Sequence, residues 1–338
     1  MPSSGHDSPG STSRLPPFLQ SATDDSSGNQ TYQSAVFPES DDIRPVNVHW
    51  WPCKVADAIP QTVFFFVPGN PGIIDFYPPF LNEVYSNDTS GRLAILIHSH
   101  VGHAPSLDSQ YPLHRLDSSQ LGLTCQIQNV LRVIDAVKST FGQSVNIVLA
   151  GHSVGAWLAL QAFKLRPGAT SGVFLLFPTI AEIAGTPNGR KLSWLFRAPV
   201  PRVTANIARA VYYMPTRLLG TLFPSYPLAP LHALRSFLRL PQAIFASMTM
   251  AHDEMLNIRQ LDSELLNEHR DKIWFYFAQN DDWVGKSRDT ILRTFKGDEA
   301  HIVHGGPGVP HAFCINHSEE VARQCYQWLV SAGFVDRT

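Results

Sequence analysis

The chain has 338 residues, 44% of them hydrophobic, enough to bury one large α/β core or two smaller ones. Its formal net charge of −2 gives no global attraction to nucleic acid, and no nucleic-acid partner is expected. Cys53, Cys125, Cys314 and Cys325 are the four cysteines; they lie far apart without a CxxC pair, which argues against a disulfide framework or a zinc ribbon and fits a reducing compartment.

The N-terminal MPSSGHDSPGSTSR has no apolar stretch behind a basic one, so no secretory signal is expected. Residues 1–40 are rich in Ser, Gly, Pro and Asp and predict a disordered tail. From about Pro45 the pattern changes. Thr62–Val67 (TVFFFV) is a nearly continuous apolar run ended by Pro68-Gly69, as expected of a strand buried on both faces. Leu93–His98 (LAILIH) is a second. Leu121, Ile127, Val130, Leu131, Ile134, Val137 and Phe141 then mark the apolar face of a helix. Val145–Ala150 (VNIVLA) and Val173–Phe177 (VFLLF) are further strands.

Between about 185 and 251 the alternation breaks. Trp194, Leu195, Phe196, Val211, Tyr212, Tyr213, Met214, Phe223, Phe237 and Leu238 mix with Arg190, Lys191, Arg197, Arg202, Arg209, Arg217, Arg235 and Arg239, and no Asp or Glu occurs between Glu182 and Asp253. The segment reads as a cap inserted into the sheet domain, whose two parts are 41–184 and 252–338. Its most continuous apolar stretch, Leu218–Leu234, is broken by Pro224, Pro227 and Pro230; no run of ~20 apolar residues suits a membrane span. Arginine with aromatic and aliphatic residues suits a water–lipid interface. Ile273–Phe277 (IWFYF) resumes the βα pattern, His301–Val303 reads as a last strand, and Ser318–Ser331 as a last helix. Buried strands alternating with amphipathic helices predict an α/β chain, a mostly parallel sheet with helices on both faces.

Strand and helix flank Gly151-His152-Ser153-Val154-Gly155, a G-x-S-x-G sequence. Such a turn lifts the serine hydroxyl above the sheet, and Gly151 and Gly155 let strand and helix approach closely. The hydroxyl needs a base, and the base an orienting acid. In the α/β-hydrolase fold they follow in the order Ser, acid, His. Asp281 and Asp282 follow the strand Ile273–Phe277 and are both candidates; Asp281 is favoured, with Asp282 in the turn behind it. His311, at the end of the loop Gly305–Pro310, is the expected base; His317 borders the last helix, His304 is close to the strand, and His152 on the elbow is a poor base. An oxyanion hole would use the backbone N–H of Val154, at the helix start, and of Asn70 in Pro68-Gly69-Asn70-Pro71-Gly72; Pro71 has no N–H. His98, His100 and His103, three histidines within six residues, could bind a metal, but they lack a carboxylate at metal-ligand spacing, which argues against such a site. No metal or organic cofactor is expected.

With PGNPG, GHSVG, NDDW and PHAF in this order, the chain resembles the lipid droplet-associated hydrolase family. The likeness covers most of 60–335 and is carried by FFFVPGNPGIIDFYPPFL, IHSHVGH, AGHSVGAWLALQ and VPHAF. It implies Ser153, Asp281 and His311 as a triad, and an apolar cap that helps hold the protein on lipid droplets. Asp282 stands where the DPW form of the acid loop has Pro. The expected substrate is a lipid ester, of sterol ester or acylglycerol type, and the expected surface is a phospholipid monolayer. The expected location is the lipid droplet with cytoplasmic and endoplasmic reticulum-surface pools, and not the secreted space. A thioesterase or transacylase on the same residues, or a droplet-surface protein with little activity, are the rival readings. Halide- or epoxide-opening chemistry would want Asp at the elbow.

Overall fold

Strands that carry apolar residues on successive positions have to be covered on both faces, and that requirement sets the architecture. The computed structural model describes residues 15–22, 30–40, 43–109, 117–211 and 216–336. β1 (Gln20–Ser21), β2 (Gln33–Phe37), β3 (Val46–Trp51) and β4 (Thr62–Val67) precede α1 (Pro78–Asn87), β5 (Leu93–His98), the short α2 (Pro105–Asp108) and α3 (Leu123–Phe141). β6 (Asn146–His152), α4 (Val154–Leu165) and β7 (Gly172–Leu176) follow. α5 (Pro187–Leu192), α6 (Val200–Val211), α7 (Thr216–Leu222), α8 (Leu228–Leu238), α9 (Pro241–Asn257) and α10 (Ser263–Glu268) intervene before β8 (Ile273–Phe277), α11 (Ser287–Thr294), β9 (Ile302–His304) and α12 (Ser318–Ser331).

Among the described residues the strands form one nine-stranded sheet in the order β1-β2-β3-β5-β4-β6-β7-β8-β9. β1, β2 and β3 run antiparallel to their neighbours, and β5 through β9 pair in parallel. Val63, Phe65 and Val67 of β4 face one core with Ile147 and Leu149 of β6, α3 and α4. Phe64 and Phe66 face the other with Val148, Ala150, α1 and α12. All six residues of β4 are buried, which is why its run reads as continuous rather than alternating.

From β4 the chain crosses to β5 on one side, and then to β6 on the other. A sheet that reverses direction in this way opens a crevice at the carboxyl ends of its strands. β4 and β6 end together, with Val67 opposite Gly151, so the loop after β4 and the turn after β6 meet in that crevice. The lone strand β7 then hands over to the inserted helices, which carry a small core of their own including Ala205, Phe237, Ile244 and Phe245.

Two expected boundaries are corrected. Residues 15–22 and 30–40 are ordered rather than part of a disordered tail: β2 pairs with β3, Ala35 opposite Val48, and Leu19, Ala35 and Phe37 are buried. Phe18 packs edge-on against Phe37, Trp50 and Phe141. The alternation of Ala35 and Phe37 is too short to stand out in a polar context. Residues 1–14 and 23–29, also assigned to that tail, lie outside the described residues, as do Tyr212, Tyr213 and Met214 of the cap. The cap does not end at residue 251, because α9 continues to Asn257 on one buried stripe that includes Met250 and Met255.

A Cβ at Gly155 would stand 2.2 Å from the Val67 carbonyl oxygen and 2.5 Å from that of Pro68, whereas one at Gly168 would meet nothing within 4 Å. Gly155→Ala is therefore expected to lower unfolding stability by at least about 1–3 kcal/mol, and Gly168→Ala by less than about 0.5 kcal/mol, measured by urea denaturation.

Candidate active site

The chemistry-bearing groups converge at the carboxyl ends of β4, β6, β8 and β9. Ser153 joins β6 to α4 with φ 56° and ψ −123°, a backbone conformation costly for a residue with a Cβ. Its surroundings hold it there. Its N–H donates to the Leu176 carbonyl at 3.0 Å and its own carbonyl accepts the Ala156 N–H at 3.0 Å. A Cβ at Gly151 would lie 2.3 Å from the Gly155 carbonyl oxygen, so both glycines are needed for the bend to close.

His311 reaches this serine from the loop after β9. Ser153 Oγ and His311 Nε2 are 2.9 Å apart, and His311 Nδ1 lies 2.7 Å from Asp281 Oδ2. Asp281 Oδ1 accepts the backbone N–H of Trp283 at 2.9 Å and of Val284 at 3.2 Å. Burial pushes the Asp281 carboxyl up, but the hydrogen bond and charge of His311 and those two N–H groups outweigh it, and the net shift is downward. A carboxylate on Nδ1 leaves Nε2 as the imidazole's acceptor, so the hydroxyl donates along a single line of hydrogen bonds toward the carboxylate.

The other sequence candidates stand apart. Asp282 is exposed. His304 is exposed and meets Arg288 at 2.9 Å. His317 occupies the position before α12, but its side chain makes no cap bond. His152 is buried with both ring nitrogens engaged: Nδ1 faces Tyr77 Oη at 2.8 Å and Nε2 the His311 carbonyl oxygen at 2.9 Å.

Those contacts define a second polar chain. Gly69 N–H donates to Tyr77 Oη at 3.2 Å, Tyr77 donates to His152 Nδ1, and His152 Nε2–H donates to the His311 carbonyl. Burial, reinforced by the nearby His311, holds His152 down at about 3, so the ring stays neutral and keeps these roles. The loop after β4 is thereby tied to the loop that carries His311. Because Gly69 N–H is used in this way, Asn70 is left as the next N–H of that loop. Among the backbone hydrogen bonds of the described turns and loops, none uses the N–H of Asn70 or of Val154. The Asn70 side chain is fixed from the cap: Nδ2 donates to the Ser247 carbonyl at 2.9 Å and to Glu254 Oε1 at 2.8 Å.

Beneath this loop lie the buried histidines. His103 Nδ1 is 2.6 Å from the Pro71 carbonyl oxygen, and the His100 ring packs edge-on to it at 5.3 Å. Gly72, at φ +70°, leaves room for His100, whose Cδ2 would stand 2.5 Å from a Cβ there. Burial lowers the pKa of all three, His98 and His103 to about 4 and His100 well below the usual imidazole value. Among the described residues no three His, Cys, Asp or Glu side chains converge as a metal set.

Above Ser153 and His311 opens a cavity of about 370 Å³, walled by Phe76, Phe196, Met248, Met255, Trp283 and Ile315 with few polar groups. Tyr77, Tyr226, Ser247 and Glu254 are polar lining residues that were not singled out from the sequence. Tyr77 sits inside the PGNPG-containing stretch, where an aromatic residue gives no sign of its hydroxyl's use. Glu254 had a legible signal: with Ser247, Met250 and Ala251 it repeats at three and four along the buried stripe of α9.

The family model described as lipid-droplet associated hydrolase matches residues 60–314. The lipid droplet-associated hydrolase of Homo sapiens is 28% identical over 286 residues, covering 78% of this chain and 83% of that protein. A haloalkane dehalogenase loop variant from Bradyrhizobium elkanii superposes with a TM-score of 0.60 at 12% identity, covering 86% of this chain and 95% of its own. A thermophilic esterase from Thermogutta terrifontis does so with 0.54 at 13% identity, covering 89% and 99%. Such distant likenesses establish the α/β-hydrolase fold and leave the chemistry open. The chain belongs to the lipid-droplet associated hydrolase family.

Proposed function

We propose that the protein is a serine hydrolase that cleaves lipid esters at the lipid droplet surface, with Ser153 as nucleophile, His311 as general base and Asp281 as the acid that orients it. The observation that carries this reading is the unbroken hydrogen-bond line from Ser153 Oγ through His311 to Asp281. As Oγ attacks the ester carbonyl carbon, His311 Nε2 takes the hydroxyl proton, and the Asp281 carboxylate stabilises the imidazolium. The carbonyl electron pair moves to oxygen, where the backbone N–H groups of Val154 and Asn70 would receive it. Loss of one such donor typically costs about 3 kcal/mol of transition-state stabilisation. Collapse expels the alcohol, protonated by His311. Water then attacks the acyl-enzyme with His311 again as base. Protein groups and water complete the sequence of steps.

The cap supports the lipid part of the reading. Part of its apolar content packs inward, Phe237 and Phe245 among it, but Leu228, Ile207, Leu222 and Trp194 are 74%, 64%, 62% and 61% exposed. Phe196 and Tyr226, close in sequence to Trp194 and Leu228, line the cavity. Arg190, Lys191, Arg197, Arg202 and Arg217 are exposed in the same segment. Apolar side chains dipping into a monolayer, with arginines meeting its headgroups, would bring the cavity mouth to the ester-bearing phase. None of the helices in the described residues is long and apolar enough to cross a membrane, so the proposed contact is interfacial. The name shared by the relatives supports the droplet as the surface.

The direct test is turnover of a soluble short-chain ester. Ser153→Ala is expected to abolish it, and wild-type rates in that variant would overturn the reading. Asp281→Asn should lower kcat by about 10⁴-fold, while Asp282→Asn should change it less than about threefold; the reverse ranking would move the acid to Asp282. Replacing Trp194, Ile207, Leu222 and Leu228 together with Ser should cut binding to phospholipid-coated oil droplets at least about tenfold in flotation assays. The same flotation as wild type, in a variant of unchanged melting temperature, would exclude this face as the lipid contact.

A further inference from the structure

Among the residues that line the largely apolar cavity, Glu254 is the one carboxyl, and the proposed chemistry does not use it. Glu254, on α9, is only 5% exposed yet lines the cavity. Among the described residues no Lys, Arg or His forms an ion pair with it. Its one side-chain partner is Asn70, whose Nδ2–H donates to Oε1 at 2.8 Å. The second Asn70 proton goes to the Ser247 carbonyl, so that amide has no donor left for Oε2. Oε2 has no hydrogen-bond partner among the described residues, and the side chain that carries it lines the cavity.

A buried carboxyl without a cation favours its neutral form. Burial pushes Glu254 up to about 8, against the Asn70 hydrogen bond and with the charge of Asp253 adding to it. Because Oε1 accepts from Asn70, the proton resides on Oε2. The α9 side of the cavity wall therefore presents a carboxyl hydroxyl that can both donate and accept. It stands beside Asn70, the neighbour of Gly69, where a Cβ would lie 3.0 Å from Ser153 Cβ.

The geometry points to Glu254 as a specificity residue that selects esters carrying a further oxygen a few bonds from the scissile carbonyl: partial acylglycerols in preference to sterol esters or simple alkyl esters. This rests on the ester hydrolase reading above. A glycerol hydroxyl would exchange hydrogen bonds with Oε2, whereas a hydrocarbon ring or chain would cover it and leave it unpaired. One hydrogen bond of this kind changes selectivity roughly tenfold.

The experiment compares kcat/KM for monodecanoylglycerol and ethyl decanoate, which share an acyl chain, in detergent micelles with the full-length protein. Wild type is expected to favour the glycerol ester by about tenfold. Glu254→Met should collapse that ratio, chiefly through a raised KM for the glycerol ester. Glu254→Gln keeps an acceptor for Asn70 and an N–H₂ toward the cavity, and should restore the ratio to within about threefold of wild type. No preference in wild type would overturn the assignment whatever the variants do. So would equal losses on both esters in Glu254→Met with the ratio intact, which would make Glu254 only a support for Asn70. Failure of the underlying reading looks different: wild-type protein would then hydrolyse neither ester.

Discussion

The backbone at Ser153 is the constraint on which the rest depends. A serine at φ 56° is sterically unfavourable by about 1–3 kcal/mol, and it persists because its neighbours leave no alternative. The first turn of α4 lies against the end of β4 so closely that no atom larger than hydrogen fits at Gly155. That contact fixes the direction in which α4 leaves the sheet, the height of Oγ above it, and the position of the loop after β4. The sheet then delivers the partners, since β8 and β9 end on the same side and release Asp281 and His311 into the same crevice.

Around this bend runs a second layer of order, built from neutral groups. Gly69, Tyr77, His152 and the His311 backbone form a one-way chain of hydrogen bonds. Its direction is set by chemistry: an N–H at one end, a carbonyl at the other, and between them an imidazole whose burial favours the neutral form. The histidines below the loop act similarly, filling the space that Gly72 vacates and meeting the Pro71 carbonyl. The loop after β4 is thus held from beneath by His103, from the elbow side by Tyr77, and from the cap by Ser247 and Glu254.

Much of this was legible in the sequence because strong local rules were at work. TVFFFV, LAILIH and VNIVLA read as doubly covered strands because their apolar runs are unbroken, and the GHSVG glycines read as an elbow because no other residue fits there. The structure brings together Ser153, Asp281 and His311, the three side chains picked out by order and loop type. What escaped depends on tertiary context. β2 has only two strongly buried apolar positions, Ala35 and Phe37, in a polar stretch, so its pairing with β3 could not be seen locally. The change of pattern near residue 251 gives no sign of a helix that continues across it, whereas α9 runs to Asn257 and turns Glu254 inward. Tyr77 has no sequence signature for its hydroxyl, which matters only once Gly69 and His152 are brought to either side of it.

The proposed activity and the proposed surface are linked by this architecture, because the inserted segment that exposes Trp194, Ile207, Leu222 and Leu228 also contributes Phe196, Tyr226 and Met248 to the cavity over Ser153. The central claim is that this one serine is activated. Intact-mass analysis and peptide mapping after exposure to a fluorophosphonate test it most directly. A single phosphonyl adduct on Ser153, formed by displacement of fluoride, is expected. Folded protein that takes up no adduct, or takes it up at another residue, would contradict it.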